Sequence, residues 1–97
     1  MSIDKIELEI IDNSTRVEIL KRLYETRERG RGVPQHVLRK SLKISRSTMV
    51  YNVNKLKKAG YVKGDYYMDG RRSFLRITDN GVDLLEKYGI ATPPTPR

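Results

Sequence analysis

The stretch SRSTMVYNVNKLKKAGYV, from Ser45 to Val62, decides the fold, because its residues divide sharply between two sides of a helix. At about 100° per residue, the apolar members fall in one narrow sector, the spacing of a stripe that packs on a core. These members are Met49, Val53, Leu56 and Gly60. The pattern predicts a helix over residues 46–59 with one buried side.

The other side of this helix combines hydrogen-bonding groups, an aromatic ring and positive charges. Its candidate binding residues are Arg46, Ser47, Val50, Tyr51, Asn54, Lys55 and Lys58. A face that is only solvated more often mixes glutamate with lysine, yet no acidic residue occurs between Arg46 and Val62. This face is therefore a candidate surface for a negatively charged partner.

The charge of the whole chain supports this interpretation. The net charge is +8 over 97 residues, and residues 39–76 contain eleven lysines and arginines against two aspartates. That segment thus carries +9 and the remainder −1. A basic field confined to one segment is typical of a polyanion-binding surface. Membrane-surface proteins favour bulky apolar residues opposite the cations, so nucleic acid ranks well ahead of lipid.

Length and composition exclude several other classes of protein. The chain suffices for one small domain, and no apolar run approaches the ~18 residues of a membrane span. The N-terminus alternates charge with aliphatic residues, unlike a signal peptide, so we expect a cytoplasmic, nucleoid-associated protein with no membrane contact. There is no cysteine, and His36 is the only histidine, without an evident catalytic partner. We expect no enzyme activity, no metal and no cofactor.

Patterns before the long helix predict three further helices. Residues 3–11 fit either a strand or a helix, and we prefer a helix. Thr15 followed by Glu18 indicates a capping box for a helix that ends near Arg29. The short stretch PQHVLRKSL predicts another helix, with Val33 before it as a short strand edge. Ser45 is then placed as the N-cap of the long helix.

The pattern after Gly60 changes from a helical to a strand period. The stretches YVKGDYYM and RSFLRIT are rich in aromatic and β-branched residues, and Asp69 with Gly70 favours a hairpin turn between them. The sequence predicts a β-hairpin wing over residues 61–78.

The end of the chain predicts one more helix and a tail. Thr78 or Asp79 caps the helix, and residues 91–97 form a proline-rich tail that we expect to be disordered. The apolar side of the helix consists of Val82, Leu84, Leu85 and Tyr88.

This order of elements predicts an α+β winged helix-turn-helix domain over residues 1–90, with a three-helix core, a β-hairpin wing and additional terminal helices. In that arrangement the helix 46–59 lies in the major groove of DNA. Ser47, Tyr51 and Asn54 would read base edges, and Lys55 and Lys58 would position phosphates. For Asn54, simple solvation is an equally open alternative.

Three stretches resemble known regulators. DNSTRVEILKRLYE resembles the first helix of ArsR-type winged-helix repressors, and ISRSTMVYNVNKLKKAGYV is similar to their recognition helix. DGRRSFLRITDNGVDLL resembles the wing of MarR-type regulators. The residues at matching positions of that wing are Asp69, Arg71, Ile77, Thr78 and Gly81.

The resemblance implies that Arg71 enters the minor groove and that Asp69 steadies it, which suits a guanidinium on a projecting hairpin. Arg72 and Arg76 would contact the DNA backbone or only expose a strand face. The chain lacks the long terminal helices of MarR proteins and the cysteine or histidine clusters of many ArsR proteins. No small-molecule effector is therefore evident.

We predict a sequence-specific transcriptional regulator that binds double-stranded DNA as a homodimer. The alternative is a non-specific, chromatin-like architectural protein, and a winged helix for protein contacts or RNA is a third possibility. Residues 1–11 are a candidate dimerisation segment, unless they complete the core of the monomer. The apolar residues that suggest this interface are Ile3, Ile6, Ile10, Ile11, Leu84, Leu85, Tyr88 and Ile90.

Overall fold

The fold is given by a computed structural model that describes residues 5–29, 32–66 and 73–91. The elements in chain order are α1 (Lys5–Ile11), α2 (Ser14–Glu25), a 3-10 helix (Arg27–Arg29), β1 (Val33–Pro34), α3 (Gln35–Leu42), α4 (Arg46–Ala59), β2 (Val62–Tyr66), β3 (Ser73–Ile77) and α5 (Asp79–Lys87). The predicted α+β winged helix-turn-helix is confirmed, and the ambiguous N-terminal segment is helical.

Helix α4 has the predicted bounds, because its own sequence caps both ends. The Ser45 side chain accepts a hydrogen bond from the Thr48 amide, which satisfies one of the free N–H groups of the first turn. Gly60 ends the helix at φ +85°, a conformation that glycine adopts without the steric cost of a Cβ. The amide of Gly60 closes the last turn on the carbonyls of Leu56 and Lys57.

A short turn joins α3 to α4. Lys43 adopts a left-handed conformation at φ 56°, and its amide donates to the carbonyls of Arg39 and Lys40. The Arg39 side chain donates from Nη1 to the Ile44 carbonyl at 3.3 Å, which closes the turn from the other side. The two helices of the predicted helix-turn-helix are thereby connected within three residues.

The three strands form an antiparallel sheet in the order β1-β3-β2. Val62 pairs with Ile77 and Lys63 with Arg76, so the predicted hairpin pairing is present. The expected turn of this hairpin, with Asp69 and its neighbours, lies outside the described residues.

One hydrophobic core joins these elements. Its fully buried side chains come from α2, α4, β3 and α5: Ile19, Leu20, Leu23, Met49, Val53, Leu56, Leu75 and Leu85. The start of α5 is fixed to the end of α4, because the Thr78 hydroxyl donates to the Gly60 carbonyl at 2.6 Å. Gly81 lies so close to the Tyr61 backbone that an added Cβ would stand 2.5 Å from the carbonyl oxygen.

Three predictions of helix ends need correction or refinement. Helix α2 is capped by Asn13 and not by Thr15, since the Asn13 side chain accepts from the Arg16 amide at 3.1 Å. Asparagine is at least as good a cap as threonine, and it takes the position one turn before Val17. Helix α2 also ends at Glu25, before the separate 3-10 turn, and of the two candidate caps of α5 the structure selects Thr78.

The terminal helices are more fully packed than the sequence suggested. Ile10, Leu84 and Leu85 lie in the monomer core at 3% exposure or less, so they are not surplus apolar residues. The alternative in which residues of the N-terminal segment complete the core is thus correct for Ile10. Two large aliphatic side chains of α1 stay outside it, Ile6 at 51% and Leu8 at 45% exposure.

Candidate nucleic-acid interface

All seven predicted binding residues of α4 are exposed. Tyr51 is 57% exposed and Val50 40%, whereas Met49 and Val53 on the inner face are almost fully buried. The other five predicted residues are also exposed: Arg46, Ser47, Asn54, Lys55 and Lys58. All seven side chains are therefore accessible to a partner.

The first turn of α4 adds hydroxyl groups to this surface. The Ser45 hydroxyl donates to Thr48 Oγ1 at 2.8 Å and lies 3.3 Å from Ser47 Oγ. No acidic residue occurs in this turn, so nothing offsets the partial positive charge at the helix N-terminus. Exposed Thr48 was not among the predicted residues, although its place beside Ser47 in the first turn was readable from the sequence.

The exposed ring of Tyr51 is in contact with two cations. The ammonium of Lys55 lies 5.6 Å from the ring centroid, and the guanidinium carbon of Arg16 lies 5.7 Å from it. Both distances are within the ~6 Å range of cation–π attraction. The Tyr51 ring thus covers two neighbouring cationic side chains while it stays exposed to a partner.

Arg16 and Asn52 form a buried polar link behind this surface, which the sequence reasoning missed. Arg16 is 8% exposed and Asn52 4%, and Arg16 Nε donates to Asn52 Oδ1 at 2.9 Å. Arg16 Nη1 also donates to the Glu9 carbonyl at 2.9 Å, and Asn52 Nδ2 donates to the Thr48 carbonyl at 2.9 Å. In the sequence, the one indication that Asn52 is buried was its position beside the apolar stripe on a helical projection.

The wing segment adds further positive charge. Lys63 on β2 is exposed and stands directly opposite the half-buried Arg76 on β3. Arg71 and Arg72, with Asp69, lie outside the described residues, and their roles stay predictions.

The perturbed titrating groups lie at the contact between α1 and α5. Hydrogen bonds from Tyr88 (2.7 Å) and Lys87 (3.0 Å) hold the pKa of the Glu7 carboxyl below its ordinary value. The same hydrogen bonds to Glu7 raise the pKa of Lys87 and the pKa of the Tyr88 hydroxyl. This ionic contact holds α1 in place.

Within residues 5–29, 32–66 and 73–91, no three His, Cys, Asp or Glu side chains are grouped so that they could hold a metal ion. None of the helices described there has the length and apolar character needed to cross a membrane. His36 is exposed on α3.

A comparison with protein families gives a match to the family described as "Winged helix DNA-binding domain", over residues 13–81. The matched segment begins at the cap of α2 and ends in the first turn of α5, so it contains α4 and both wing strands. No match was found among proteins with curated descriptions.

Several solved structures have a similar fold. The PcaV transcriptional regulator from Streptomyces coelicolor is 26% identical, with a TM-score of 0.70 over 80% of this chain and 53% of its own. S. aureus MepR in complex with DNA is 21% identical, with a TM-score of 0.74 over 87% of this chain and 68% of its own. An ArsR family transcriptional regulator is 18% identical, with a TM-score of 0.66 over 88% of this chain and 86% of its own. This chain thus spans about half the length of PcaV.

Proposed function

This chain belongs to the winged helix DNA-binding domain family, and we propose that it regulates transcription by reading double-stranded DNA with α4. The observation that carries the proposal is the exposed face of α4, which is free of acidic residues and combines hydrogen-bonding groups with cations. The PcaV protein, similar over most of this chain, is itself described as a transcriptional regulator.

The geometry of α4 suits the major groove, which admits one α-helix. Ser47, Tyr51 and Asn54 would face the base edges, and the amide of Asn54 can pair with the N6 and N7 positions of adenine. Lys55 and Lys58 would bind phosphates on either side and set the register of the helix without reading sequence. The N-terminus of α4, with its hydroxyl groups, favours a further phosphate.

The wing would extend the contact along the DNA. Lys63, exposed on β2, is suited to a backbone phosphate. We propose that Arg71 enters the neighbouring minor groove and that Arg72 contacts the backbone, as the resemblance to MarR-type wings implies. A guanidinium there exploits the enhanced negative potential of a narrow minor groove.

The test is a selection of bound sequences from a random DNA pool. The selected duplex and a random duplex of equal length are then compared for affinity at one fixed salt concentration, since the phosphate contribution depends on salt. A specific regulator should prefer the selected duplex about 10³-fold or more. Equal affinities would instead support the alternative of a non-specific architectural protein.

We also propose that the protein binds DNA as a homodimer, through the exposed aliphatic side chains of α1. Ile6 and Leu8 are large apolar residues that are exposed on different sides of α1 in the monomer, and burial of either side chain against a second copy would favour association. A two-fold pair would place two copies of α4 about 34 Å apart, one turn of DNA. The operator would then have two inverted half-sites.

Sedimentation equilibrium of Ile6→Glu and Leu8→Glu tests the dimer, because these changes leave the buried Ile10 intact. Both should shift the protein from dimer to monomer at tens of micromolar. The matched control is Val37→Glu on α3, which is 48% exposed in the monomer and should leave the dimer unchanged. A wild-type protein that is monomeric at this concentration would contradict the proposal.

A cytoplasmic location at the nucleoid would follow from DNA binding, and it is proposed on that ground alone. The absence of a small-molecule effector stays a prediction. One PcaV structure is described as a complex with its natural ligand, and the match to this chain covers only 53% of PcaV.

A further inference from the structure

We propose that Arg16 is a positioning residue for DNA recognition: it couples the docking of α1 to the conformation of the reading face of α4. The inference rests on the proposed function of α4. It concerns a side chain that lies behind the DNA-binding surface and is 8% exposed.

The guanidinium of Arg16 connects three elements. From α2 it donates to the Glu9 carbonyl in α1 and to the Asn52 side chain in α4, both at 2.9 Å. It also lies over the ring of Tyr51, at 5.7 Å from the centroid. Because the guanidinium is planar and has several fixed donors, it can make all three contacts at the same time. A lysine ammonium at the end of a flexible stem cannot.

The contact with Asn52 fixes α4 in rotation. The Asn52 amide nitrogen donates to the Thr48 carbonyl of its own helix, so its oxygen is directed towards Arg16. Asn52 and Tyr51 are adjacent in sequence and about 100° apart around the helix. The guanidinium therefore lies at the boundary between the buried and the outward sides of α4, where it determines how Tyr51 is presented.

The contact with Glu9 makes this arrangement depend on α1. Glu9 lies in the last turn of α1, where carbonyl groups lack partners within the helix. The positively charged Arg16 supplies a partner, and its charge is favourable at a helix C-terminus. Displacement of α1 would remove this acceptor and loosen the guanidinium over Tyr51. Because coupling is reciprocal, DNA bound at Tyr51 would in turn favour the docked position of α1.

The experiment is a double-mutant cycle in DNA affinity with the full chain. Arg16→Met keeps the apolar stem and removes every donor, and Tyr51→Leu removes the ring. Arg16→Met should weaken binding to the selected duplex about tenfold in the wild-type background and less than about twofold in the Tyr51→Leu background. Its effect on a random duplex should stay below about twofold, because a buried side chain supplies no phosphate contact.

Two further variants separate positioning from charge. Arg16→Lys keeps the charge but cannot hold both acceptors, so it should lose nearly as much specific affinity as Arg16→Met. The matched control is Arg22→Met on the exposed side of the same helix. It removes one positive charge and should affect the two duplexes equally and weakly.

The outcomes are distinct. Equal losses on both duplexes, or losses that simply add in the cycle, would overturn the role of Arg16 while leaving the function of α4 in place. A wild type without preference for the selected duplex would overturn the proposed function and this inference with it. If Arg16→Met fails to fold by circular dichroism, Asn52→Ala cuts the same hydrogen bond from α4, and coupling to Tyr51 is then expected for that variant.

Discussion

Helices α4 and α1 are held in the molecule by different kinds of interaction. Helix α4 has 14 residues, caps from its own flanking sequence and an inner face of buried apolar side chains. Helix α1 has seven residues and one buried side chain, Ile10. Polar groups of other elements hold it: Arg16 from α2, and Lys87 and Tyr88 at the end of α5.

Helix α4 is therefore fixed mainly by apolar packing, whereas the attachment of α1 depends partly on polar contacts. The apolar contacts of α4 are insensitive to charge and pH, which favours a fixed orientation of its outward face. Apart from the buried Ile10, α1 is attached by one guanidinium and one carboxylate, whose contacts solvent and pH can alter.

The largest expected effect is the loss of stability when the apolar packing of α4 is disrupted. Leu56→Ala deletes a fully buried side chain, so we expect the free energy of unfolding to fall by about 2–5 kcal/mol, measured by urea denaturation. Leu8→Ala on α1 makes the same chemical change at 45% exposure in the monomer and should cost well under about 1 kcal/mol at protein concentrations too low for dimerisation. Similar losses at both sites would contradict the contrast between the two helices.

The next effect concerns the outward face of α4. Tyr51→Ala and Asn54→Ala should each weaken binding to the selected duplex by about 1–3 kcal/mol, because they remove base contacts. Binding to a random duplex should change little. As a control, Lys58→Ala should weaken both duplexes alike, since it removes a phosphate contact. If Tyr51 and Asn54 behave like Lys58, this face does not read sequence.

The smallest effect should be a pH dependence confined to α1. The lowered pKa of Glu7 means that its contribution to stability is present above the ordinary value of 4.5 and is lost as the pH falls through the lowered value. The raised pKa of Lys87 gives a pH dependence of stability with the opposite sign. Its contribution is present below 10.5 and is lost as the pH rises through the raised value.

The urea midpoints of wild type and Glu7→Gln measure this effect. Their difference should be constant near neutral pH and should vanish in acid, once the Glu7 carboxyl of the wild type is protonated. Glu18→Gln is the control, because the ion pair of Glu18 with Lys21 is long, at 3.6 Å, and exposed. A difference that persists unchanged in acid would show that Glu7 does not hold α1 through its charge.

The sequence was most informative where a structure depends on neighbouring residues. Ser45 as N-cap and the C-terminal end of α4 at Gly60 are local features, and both were predicted correctly. The cap of α2 was misassigned because Asn13 and Thr15 are both good caps only two residues apart, so propensity did not separate them. The set of outward residues on α4 followed from helical periodicity alone.

What the sequence by itself determined is therefore the winged helix-turn-helix, the helix 46–59 with its two faces, and the concentration of positive charge around it. These features depend on periodicity, caps and composition, which act over a few residues. The tertiary structure alone decided how α1 is attached and what lies behind Tyr51. Arg16 reaches Asn52 across 36 residues and Glu7 reaches Tyr88 across 81, and no local pattern encodes such pairs, because only the packing of the whole chain brings them within hydrogen-bonding distance.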